Sequence, residues 1–238
     1  MPRSARIVIP DQPYHVTQRG NYRQDVFFAK DDYLYYLGLL KEHSKQFGVE
    51  VLGYCLMTNH IHLVVIPKAA DSLSKGIGRT HLLHAQYINQ LHGRSGHLWQ
   101  GRFSSVLLDD EHMWAALRYV DRNPIRAGMV RKAWNYRWSS VRAHLGEVDR
   151  ADLIDQRRWK SLLGCDNWRK LLEDPDDEQM LARIRLNTRT GRPLGSDRFI
   201  SKLEAALGRR LRPLPVGRPR KKSKKTKKKK TARKRRIK

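Results

Sequence analysis

The chain is organised around the stretch Met57-Thr58-Asn59-His60-Ile61-His62-Leu63-Val64-Val65-Ile66-Pro67. If this stretch is a strand, its successive side chains point to opposite faces of a sheet. Ile61, Leu63 and Val65 then share one face, which we expect helices to cover. His60 and His62 share the other face, two residues apart and pointing the same way. Two imidazoles on a rigid strand are good metal ligands that lack only a third group, although two polar side chains facing solvent would give the same pattern.

Hydrophobic periodicity and turn residues predict alternating strands and helices around this stretch. Strands are predicted at residues 6–17 (interrupted at Pro10 and Pro13), 49–57, 60–66 and 101–108. Helices are predicted at residues 31–47, at 71–91, and from 109 to about Arg122, where Pro124 prevents continuation. The order βαββαβ predicts an α+β fold, a ferredoxin-like antiparallel sheet with helices on one face. The face with the histidines is left for a substrate or an extra helix.

The positive charge of the chain is large and unevenly spread. The 238 residues carry a net charge of +26, and residues 218–238 hold fifteen Lys or Arg and no acid, which leaves +11 on the first 217. Such a surface attracts polyanions, and nucleic acid is the leading candidate partner. We expect the basic tail to be disordered when free and to bind phosphate, unless it is a solvated tail or a localisation signal. Val216-Gly217-Arg218-Pro219-Arg220 resembles an AT-hook core, which lies in narrow A·T minor grooves.

The remaining composition predicts a soluble, cytoplasmic, nucleoid-associated protein. Cys55 and Cys165 are too few for a disulfide framework, and no CxxC is present for a zinc ribbon, so both are expected to be reduced packing residues. The N-terminal sequence does not resemble a signal peptide. No stretch of about twenty apolar residues predicts a membrane span.

The third predicted helix presents a phenol and an amide on one face. Tyr119 and Asn123 are four residues apart, so they project the same way. A buried Tyr and a helix-capping Asn would be ordinary, but opposite a His-x-His strand they indicate a nucleophile and a third metal ligand. A hard cation would polarise a phosphate that the tyrosine oxygen attacks, giving a covalent phosphotyrosine. Tyr87 is the rival nucleophile, but its neighbour four residues on is Leu91, which binds no metal.

Several segments together resemble the REP-associated tyrosine transposases, single-tyrosine members of the HUH transposases. Met57-Thr58-Asn59-His60-Ile61-His62 looks like the HUH motif. Tyr119, Asn123-Pro124 and Arg126-Ala127-Gly128 are similar to the tyrosine helix of that family. Further similar segments are Arg19-Gly20-Asn21, Gly96-His97-Leu98-Trp99-Gln100-Gly101-Arg102-Phe103 and Trp138-Ser139-Ser140. The resemblance covers about residues 5–145 and extends more weakly to Thr190-Gly191-Arg192-Pro193-Leu194-Gly195.

The resemblance implies a metal-dependent transposase that nicks and rejoins single-stranded DNA at the hairpins of repetitive extragenic palindromes. Tyr119 would form a 5′-phosphotyrosine and leave a 3′-hydroxyl, while His60, His62 and Asn123 would hold Mg²⁺ or Mn²⁺. Asn123 stands where a longer Gln is common in the wider superfamily. The residues expected to bind DNA are Arg19, Asn21, Arg102, Arg126, Arg218, Arg220, Lys221 and Lys222. The protein is expected to act as a monomer or a homodimer.

Two other functions and some other site residues stay open. The chain could be a domesticated DNA-binding regulator of repeats without cleavage, or a replication-initiator nickase, although it has no Gly-Lys-Ser/Thr phosphate loop. His81 and His84 form a second candidate metal pair, with no third ligand near in sequence. Trp99, Phe103 and Tyr22 are candidates either for stacking on unpaired bases or for core packing.

Three regions are predicted: a catalytic domain at 1–150, a helical appendage at 151–212 and the basic tail at 213–238. The apolar residues of the appendage fall into groups at helical spacing: Leu153, Ile154, Trp159, Leu162 and Leu163; Met180, Leu181 and Ile184; and Phe199, Ile200, Leu203 and Leu207. A turn at residues 191–193 separates the last two groups. How the appendage docks on the catalytic domain does not follow from the sequence.

Overall fold

The computed structural model of the chain describes residues 8–163 and 168–213. Cys165, the AT-hook-like segment and the basic tail, with Arg218, Arg220, Lys221 and Lys222, lie outside the described residues. Cys55 is buried as a free thiol, in agreement with its predicted packing role. None of the helices in the described ranges is long and apolar enough to cross a membrane.

Four antiparallel strands form the central sheet. They are β1 (Tyr14–Arg19), β2 (Val49–Met57), β3 (His60–Pro67) and β4 (Ser104–Leu107). Their order across the sheet is β2-β3-β1-β4. Helix α1 (Lys30–Gln46) connects β1 to β2, and helix α2 (Ser72–Leu91) connects β3 to β4. The predicted ferredoxin-like βαββαβ fold is therefore confirmed.

Strand β3 lies inside the sheet, with β2 on one side and β1 on the other. The predicted two-residue turn at Thr58 and Asn59 connects it to β2. The backbone carbonyls of both turn residues accept hydrogen bonds from residues outside the hairpin. The Thr58 carbonyl accepts from Val26 N at 2.8 Å, and the Asn59 carbonyl accepts from Gly20 N at 2.8 Å. These bonds fix the start of β3, and with it the backbone of His60.

Helices cover the apolar face of β3, as predicted. The β3 side chains on this face are all fully buried: Ile61, Leu63 and Val65. Val49 of β2 shares the face, because it pairs with Pro67, two residues from Val65. Helix α2 comes so close to Val49 that a Cβ built at Gly76 would lie 2.9 Å from it. A larger side chain at Gly76 would therefore push α2 away from the sheet.

Helix α3 (Asp110–Asp121) covers the opposite face of the sheet, the one that carries the histidines. It packs closely on β2 at Gly53, where a Cβ would lie 2.7 Å from Leu117. The helix ends at Asp121 and is followed by one separate turn, α4 (Asn123–Arg126), with Pro124 in its first turn. The predicted end at about Arg122 is confirmed.

Acidic side chains fix the starts of α1 and α3. The carboxylate of Asp32 accepts hydrogen bonds from Phe28 N at 2.6 Å and Ala29 N at 2.8 Å. The carboxylate of Asp109 accepts from His112 N at 3.0 Å. Each satisfies backbone donors that a helix N-terminus leaves unpaired.

Strand β1 is shorter than predicted. Of the predicted strand 6–17, residues 8–13 are not in the sheet, and pairing begins at Tyr14. Pro10 and Pro13 have no N–H group to donate to a ladder, and Asp11 between them adopts a positive φ of 58°. The proline interruption therefore ends the sheet instead of only bending the strand.

The chain beyond residue 140 forms five helices within the described ranges: α5 (Val141–His144), α6 (Gln156–Leu163), α7 (Trp168–Glu173), α8 (Glu178–Thr190) and α9 (Asp197–Leu207). The sequence predicted helices corresponding to α6, α8 and α9 and missed the short helices α5 and α7. Glycine ends α8 at Gly191, whose φ is +67°.

The C-terminal helices pack directly on helix α3 and its neighbours and on the sheet. Trp159 of α6 stacks on His144 at 3.7 Å, and Trp168 of α7 donates to the buried Asp121 carboxylate at 2.9 Å. Ser104 of β4 donates to the carbonyl of Thr188 in α8 at 2.8 Å. The predicted division of the chain at residue 150 stays a prediction.

Candidate active site

His60 and His62 lie on β3 beneath α3. Their ring centroids are 5.1 Å apart and the rings are nearly perpendicular. Burial, with the charge of Arg19 as a second cause, lowers the pKa of His60 to about 4. Burial also lowers the pKa of His62, which is only 6 % exposed, well below its usual value. Both rings are therefore neutral at pH 7, so each keeps a nitrogen lone pair that can bind a cation.

The hydrogen bond of His60 to Asn59 determines which ring nitrogen is available. His60 Nδ1 lies 2.6 Å from Asn59 Oδ1, so Nδ1 carries the proton and Nε2 carries the lone pair. Nε2 faces the side-chain amide of Asn123, whose Nδ2 is 3.4 Å away. A half-turn of that amide would bring its oxygen to the same place. His60 and Asn123 thus present ligand atoms to one point.

Tyr119 lies beside the histidines on the last turn of α3. Its ring centroid is 5.5 Å from that of His62, in an edge-on arrangement. On its other side, the guanidinium of Arg126 lies 4.1 Å from the ring centroid and hydrogen-bonds the Tyr119 carbonyl oxygen. The phenol is therefore held between an imidazole and a cation.

Asp176, in the loop between α7 and α8, holds Arg126 in place. Its carboxylate lies 3.6 Å from Arg126 Nη1, 2.9 Å from Arg122 Nε and 3.4 Å from Arg118 Nη1. One carboxylate thus faces three guanidinium groups, so the cluster remains positively charged next to Tyr119.

A pocket of about 730 Å³ is lined by His60, His62, Tyr119, Asn123 and Arg126. Six arginines contribute to its walls: Arg19, Arg23, Arg102, Arg126, Arg185 and Arg189. Arg126 is paired with Asp176, whereas the side chains of the other five form no hydrogen bond or ion pair with any described residue. The pocket therefore offers an excess of available positive charge to an anionic ligand.

The segment before β4 brings further polar residues to the pocket. Strand β4 begins at Ser104, not at Gly101 as predicted, because the preceding residues bind the end of β1 irregularly. Gln18 Nε2 donates to the Gly101 carbonyl at 2.7 Å, and Gln100 N donates to the Arg19 carbonyl at 2.9 Å. Gly101 has a φ of +108°, which a residue with a side chain would adopt only under strain. The resulting bend places Gln100 and Arg102 on the pocket wall.

The structure brings together all but one of the predicted site residues in the described ranges. The residues that line the pocket are His60, His62, Tyr119, Asn123, Arg19, Arg102 and Arg126. Asn21 does not line it; its backbone N–H donates to the Leu98 carbonyl at 2.8 Å. The chemical role of each residue stays a prediction.

Several pocket residues were missed from the sequence: Thr17, Arg23, Gln100, Arg185, Thr188 and Arg189. His15, which contacts both His62 and Tyr119 from behind the pocket, was also missed. One signal was available for the α8 pair, because Arg185 and Arg189 are four residues apart and share a helical face. No local pattern indicated that α8 faces the histidines.

The rival residues lie elsewhere. Tyr87 stacks on Tyr35, with ring centroids 4.2 Å apart, between α1 and α2 and away from the pocket. His81 and His84 are buried in the same layer, where His81 hydrogen-bonds Tyr36 at 2.9 Å and His84 hydrogen-bonds the Val26 carbonyl at 2.8 Å. The structure therefore favours a packing role for both histidines.

The aromatic candidates for base stacking separate into two groups. Trp99 and Phe103 are buried, and Trp99 Nε1 donates to the His81 carbonyl at 2.9 Å, so both belong to the core. Tyr22 is 93 % exposed and has a positive φ of 51°. Tyr22, next to the pocket residue Arg23, remains available for stacking on an unpaired base.

The pocket residues fit a cation that keeps part of its coordination for water and substrate. Within the described residues, no group of three or more His, Cys, Asp or Glu side chains is arranged to hold a metal. Two imidazoles and an amide oxygen are left as donors, which suits a metal that also binds water and phosphate oxygens. A closed structural zinc site would need a fourth protein ligand.

Residues 9–123 match the family model of the IS200-like transposases. This segment contains all four strands, helices α1 to α3 and the residues His60, His62, Tyr119 and Asn123. This part of the chain is therefore similar to that family, in agreement with the predicted resemblance to DNA strand-transferring transposases.

A solved structure shows the same fold. A REP-associated tyrosine transposase, solved bound to a REP hairpin, superposes with a TM-score of 0.51 and 15% sequence identity, over 64% of this chain and 90% of that one. A putative transposase from Deinococcus radiodurans R1 matches with a TM-score of 0.35 and 20% identity, over 51% of this chain and 96% of that one. No curated protein sequence matches the chain.

Proposed function

We propose that the protein is a metal-dependent transposase that nicks and rejoins single-stranded DNA at hairpin-containing repeats. One observation carries the proposal: Tyr119, His60, His62 and Asn123 face one arginine-lined pocket. The transposase family of residues 9–123 supports the strand-transfer class, and the hairpin bound to the structural neighbour supports a hairpin substrate.

Tyr119 is the proposed nucleophile. Its phenolic oxygen attacks the scissile phosphorus, and the bond from phosphorus to the 3′ oxygen breaks. The phenolic proton passes to water, and the departing 3′ oxygen takes up a proton to become a 3′-hydroxyl. The 5′ end remains on the protein as a phosphotyrosine. Because this linkage conserves the phosphodiester energy, attack by a 3′-hydroxyl reverses the step and rejoins a strand.

His60, His62 and Asn123 are the proposed ligands of Mg²⁺ or Mn²⁺. When bound, such a cation polarises the phosphate and stabilises the charge of the transition state. The contribution of the chain is to hold the three ligand groups on rigid elements, β3 and the start of α4. Asn59 adds to this by keeping the proton of His60 on Nδ1, so that Nε2 stays free to bind.

Arg126 is proposed to stabilise the nucleophile. Its guanidinium lies 4.1 Å from the centre of the Tyr119 ring, so its positive charge is close to the charge that develops on the phenolic oxygen during attack. Asp176 and the Tyr119 carbonyl fix its orientation. The charge therefore needs little rearrangement when the reaction begins.

The unpaired arginines are proposed to hold the DNA backbone on either side of the scissile phosphate. Arg19, Arg23 and Arg102 lie on the sheet side of the pocket, and Arg185 and Arg189 lie on α8. Guanidinium groups bind phosphate oxygens through paired hydrogen bonds, without reading the base sequence. The strand would thus run through the pocket between the sheet and α8.

The test is an adduct assay with a labelled, hairpin-bearing single strand and Mg²⁺. We expect a covalent protein–DNA band on a denaturing gel for the wild type and for Tyr87→Phe, and no such band for Tyr119→Phe. Tight hairpin binding without any adduct, across a panel of hairpin sequences, would refute cleavage and favour the regulator instead. An adduct that survives Tyr119→Phe but not Tyr87→Phe would move the nucleophile to the other face of the sheet.

A further inference from the structure

A chain of hydrogen-bonding side chains connects His62 through the buried His15 to Thr188, which also lines the pocket. His15 Nε2 of β1 lies 2.9 Å from His62 Nδ1, and the two rings are nearly parallel, at 9°. On its far side, His15 Nδ1 lies 3.4 Å from Thr188 Oγ1 of α8. His15 is only 1 % exposed, and these two groups are the hydrogen-bond partners of its side chain among the described residues.

The positions of the protons along this chain are linked. Only one proton fits between the facing nitrogens of His15 and His62. If His62 Nδ1 holds it, His62 Nε2 has a lone pair, and the proton of His15 is on Nδ1, where it points to the Thr188 hydroxyl. If His15 Nε2 holds it, the proton of His62 is on Nε2, which then binds no cation. The Thr188 hydroxyl accepts a hydrogen bond from His15 Nδ1 in the first arrangement and donates one to it in the second.

We infer that His15 is a positioning residue that, anchored by Thr188, keeps His62 in the tautomer and orientation that bind a metal. The inference rests on the metal site of the proposed function and adds to it a specific role for two residues. Metal-bound histidines in proteins commonly donate their second N–H to such a partner, whose loss weakens metal binding about 10–100-fold.

Through Thr188, helix α8 has a second role at the site, in addition to the positive charge of its arginines. The residue lies outside the segment 9–123 that matches the family model. It is nevertheless held at the sheet, because its carbonyl accepts a hydrogen bond from Ser104 of β4. The C-terminal helices thereby contribute directly to the arrangement of a ligand on β3.

A packing role and a positioning role for His15 predict different results. A ring that only fills space is replaceable by Phe, which has a similar shape and lacks the nitrogen atoms. A positioning role requires an acceptor near the place of Nε2, which the Gln side chain supplies and Phe does not. We therefore compare His15→Phe, His15→Gln and Thr188→Val, with circular dichroism and thermal unfolding to check that each variant folds.

The measurement is Mn²⁺ affinity, by electron paramagnetic resonance, on the full-length protein without DNA. We expect His15→Phe to bind Mn²⁺ about 10–100-fold more weakly than the wild type, and His15→Gln to recover part of the loss. Equal affinity of the wild type and a folded His15→Phe variant would overturn the inference. If the wild type itself binds no Mn²⁺, or if His62→Ala leaves the Mn²⁺ affinity unchanged, the result would refute the proposed metal site, on which the inference rests.

A second measurement decides the question if His15→Phe does not fold. In ¹⁵N-resolved spectra of the wild type at neutral pH, we expect the proton of His62 on Nδ1. In Thr188→Val, the population with the proton on Nε2 should increase. A wild-type His62 that carries its proton on Nε2, or a tautomer unaffected by Thr188→Val, would contradict the proposed chain.

Discussion

Arg185 and Arg189 provide a sharp test of where the DNA runs. Both side chains are exposed, line the pocket one helical turn apart and have no partner among the described residues. If they bind phosphates of a single strand, replacing both with Ala removes two ionic contacts. The salt dependence of binding should then decrease by an amount that follows from the number of contacts alone.

The expected size of the change is calculable. Each phosphate contact with a single strand adds about 0.7 to the negative slope of log K against log salt, so two contacts add about 1.4. Between about 50 and 200 mM salt, this difference corresponds to roughly sevenfold in affinity. Raising the salt concentration over this range should thus weaken DNA binding by the wild type about sevenfold more than DNA binding by the Arg185→Ala/Arg189→Ala variant.

The assay is fluorescence anisotropy of a labelled single strand, titrated at several salt concentrations in the presence of a chelator to prevent cleavage. The matched control is Arg183→Ala/Arg198→Ala, which removes the same charge from exposed positions on α8 and α9 that do not line the pocket. Its slope should stay close to that of the wild type.

Equal slopes for the two double variants would refute the proposed path of the strand. In that case the arginines would act only through the net charge of the protein, and the DNA would have to lie elsewhere.

Three further predictions concern metal, pH and the tail. His60→Ala and His62→Ala should each abolish metal-dependent cleavage of a hairpin strand without unfolding the protein; cleavage that persists in excess chelator would contradict the metal role. Burial lowers the pKa of His84 to about 4, below its unfolded value of about 6.5, so its contribution to stability is complete above pH 6.5 and decreases as the pH falls towards 4. Urea unfolding at pH 7 and pH 5 should therefore show about 2 kcal/mol less pH-dependent loss in His84→Gln than in the wild type, and an identical loss would exclude the contribution of His84. Deletion of residues 218–238 should flatten the salt slope by roughly 3 to 4 if about five tail charges contact DNA, with sequence preference and single-turnover cleavage at saturating protein retained; an unchanged slope would mean that the tail does not contact DNA.

Strand β3 and helix α3 were predictable because their signals are local. Alternation along β3 separated His60 and His62 from the apolar residues Ile61 and Leu63, and the structure has the same two faces. The spacing of Tyr119 and Asn123 on one helical face likewise predicted that both would face the histidines. Periodicities of two and of 3.6 residues are properties of the backbone, so they can be read without knowledge of the tertiary contacts.

The remainder of the site depends on contacts between distant parts of the chain. Thr188 and His15 are 173 residues apart in sequence and meet only because α8 docks beside β4. The orientation of Arg126 likewise depends on Asp176, 50 residues later, in a loop that no motif marked. Neither contact leaves a periodic signal, since each is produced by packing between separate elements.

Local sequence patterns did not determine the extent of β1 or the role of Trp99. Pro10 and Pro13 were expected to interrupt a strand, but residues 8–13 are all outside the sheet, because two missing N–H groups and a turn at Asp11 prevent pairing. For Trp99 the sequence left base stacking and core packing open, and the structure favours packing, because its indole N–H donates to the carbonyl of His81 inside the core. An aromatic side chain has the same appearance in sequence whether it packs or binds.

The covalent intermediate at Tyr119 is the central claim, and mass spectrometry tests it most directly. Full-length protein is incubated with a hairpin-bearing single strand and Mg²⁺, the DNA is trimmed with nuclease, and the tryptic peptides are sequenced. The account predicts one peptide with a nucleotide attached through a 5′ phosphate to the oxygen of Tyr119. A nucleotide on Tyr87 or on any other residue, or cleaved DNA with a free 5′ phosphate and no modified peptide, would contradict it.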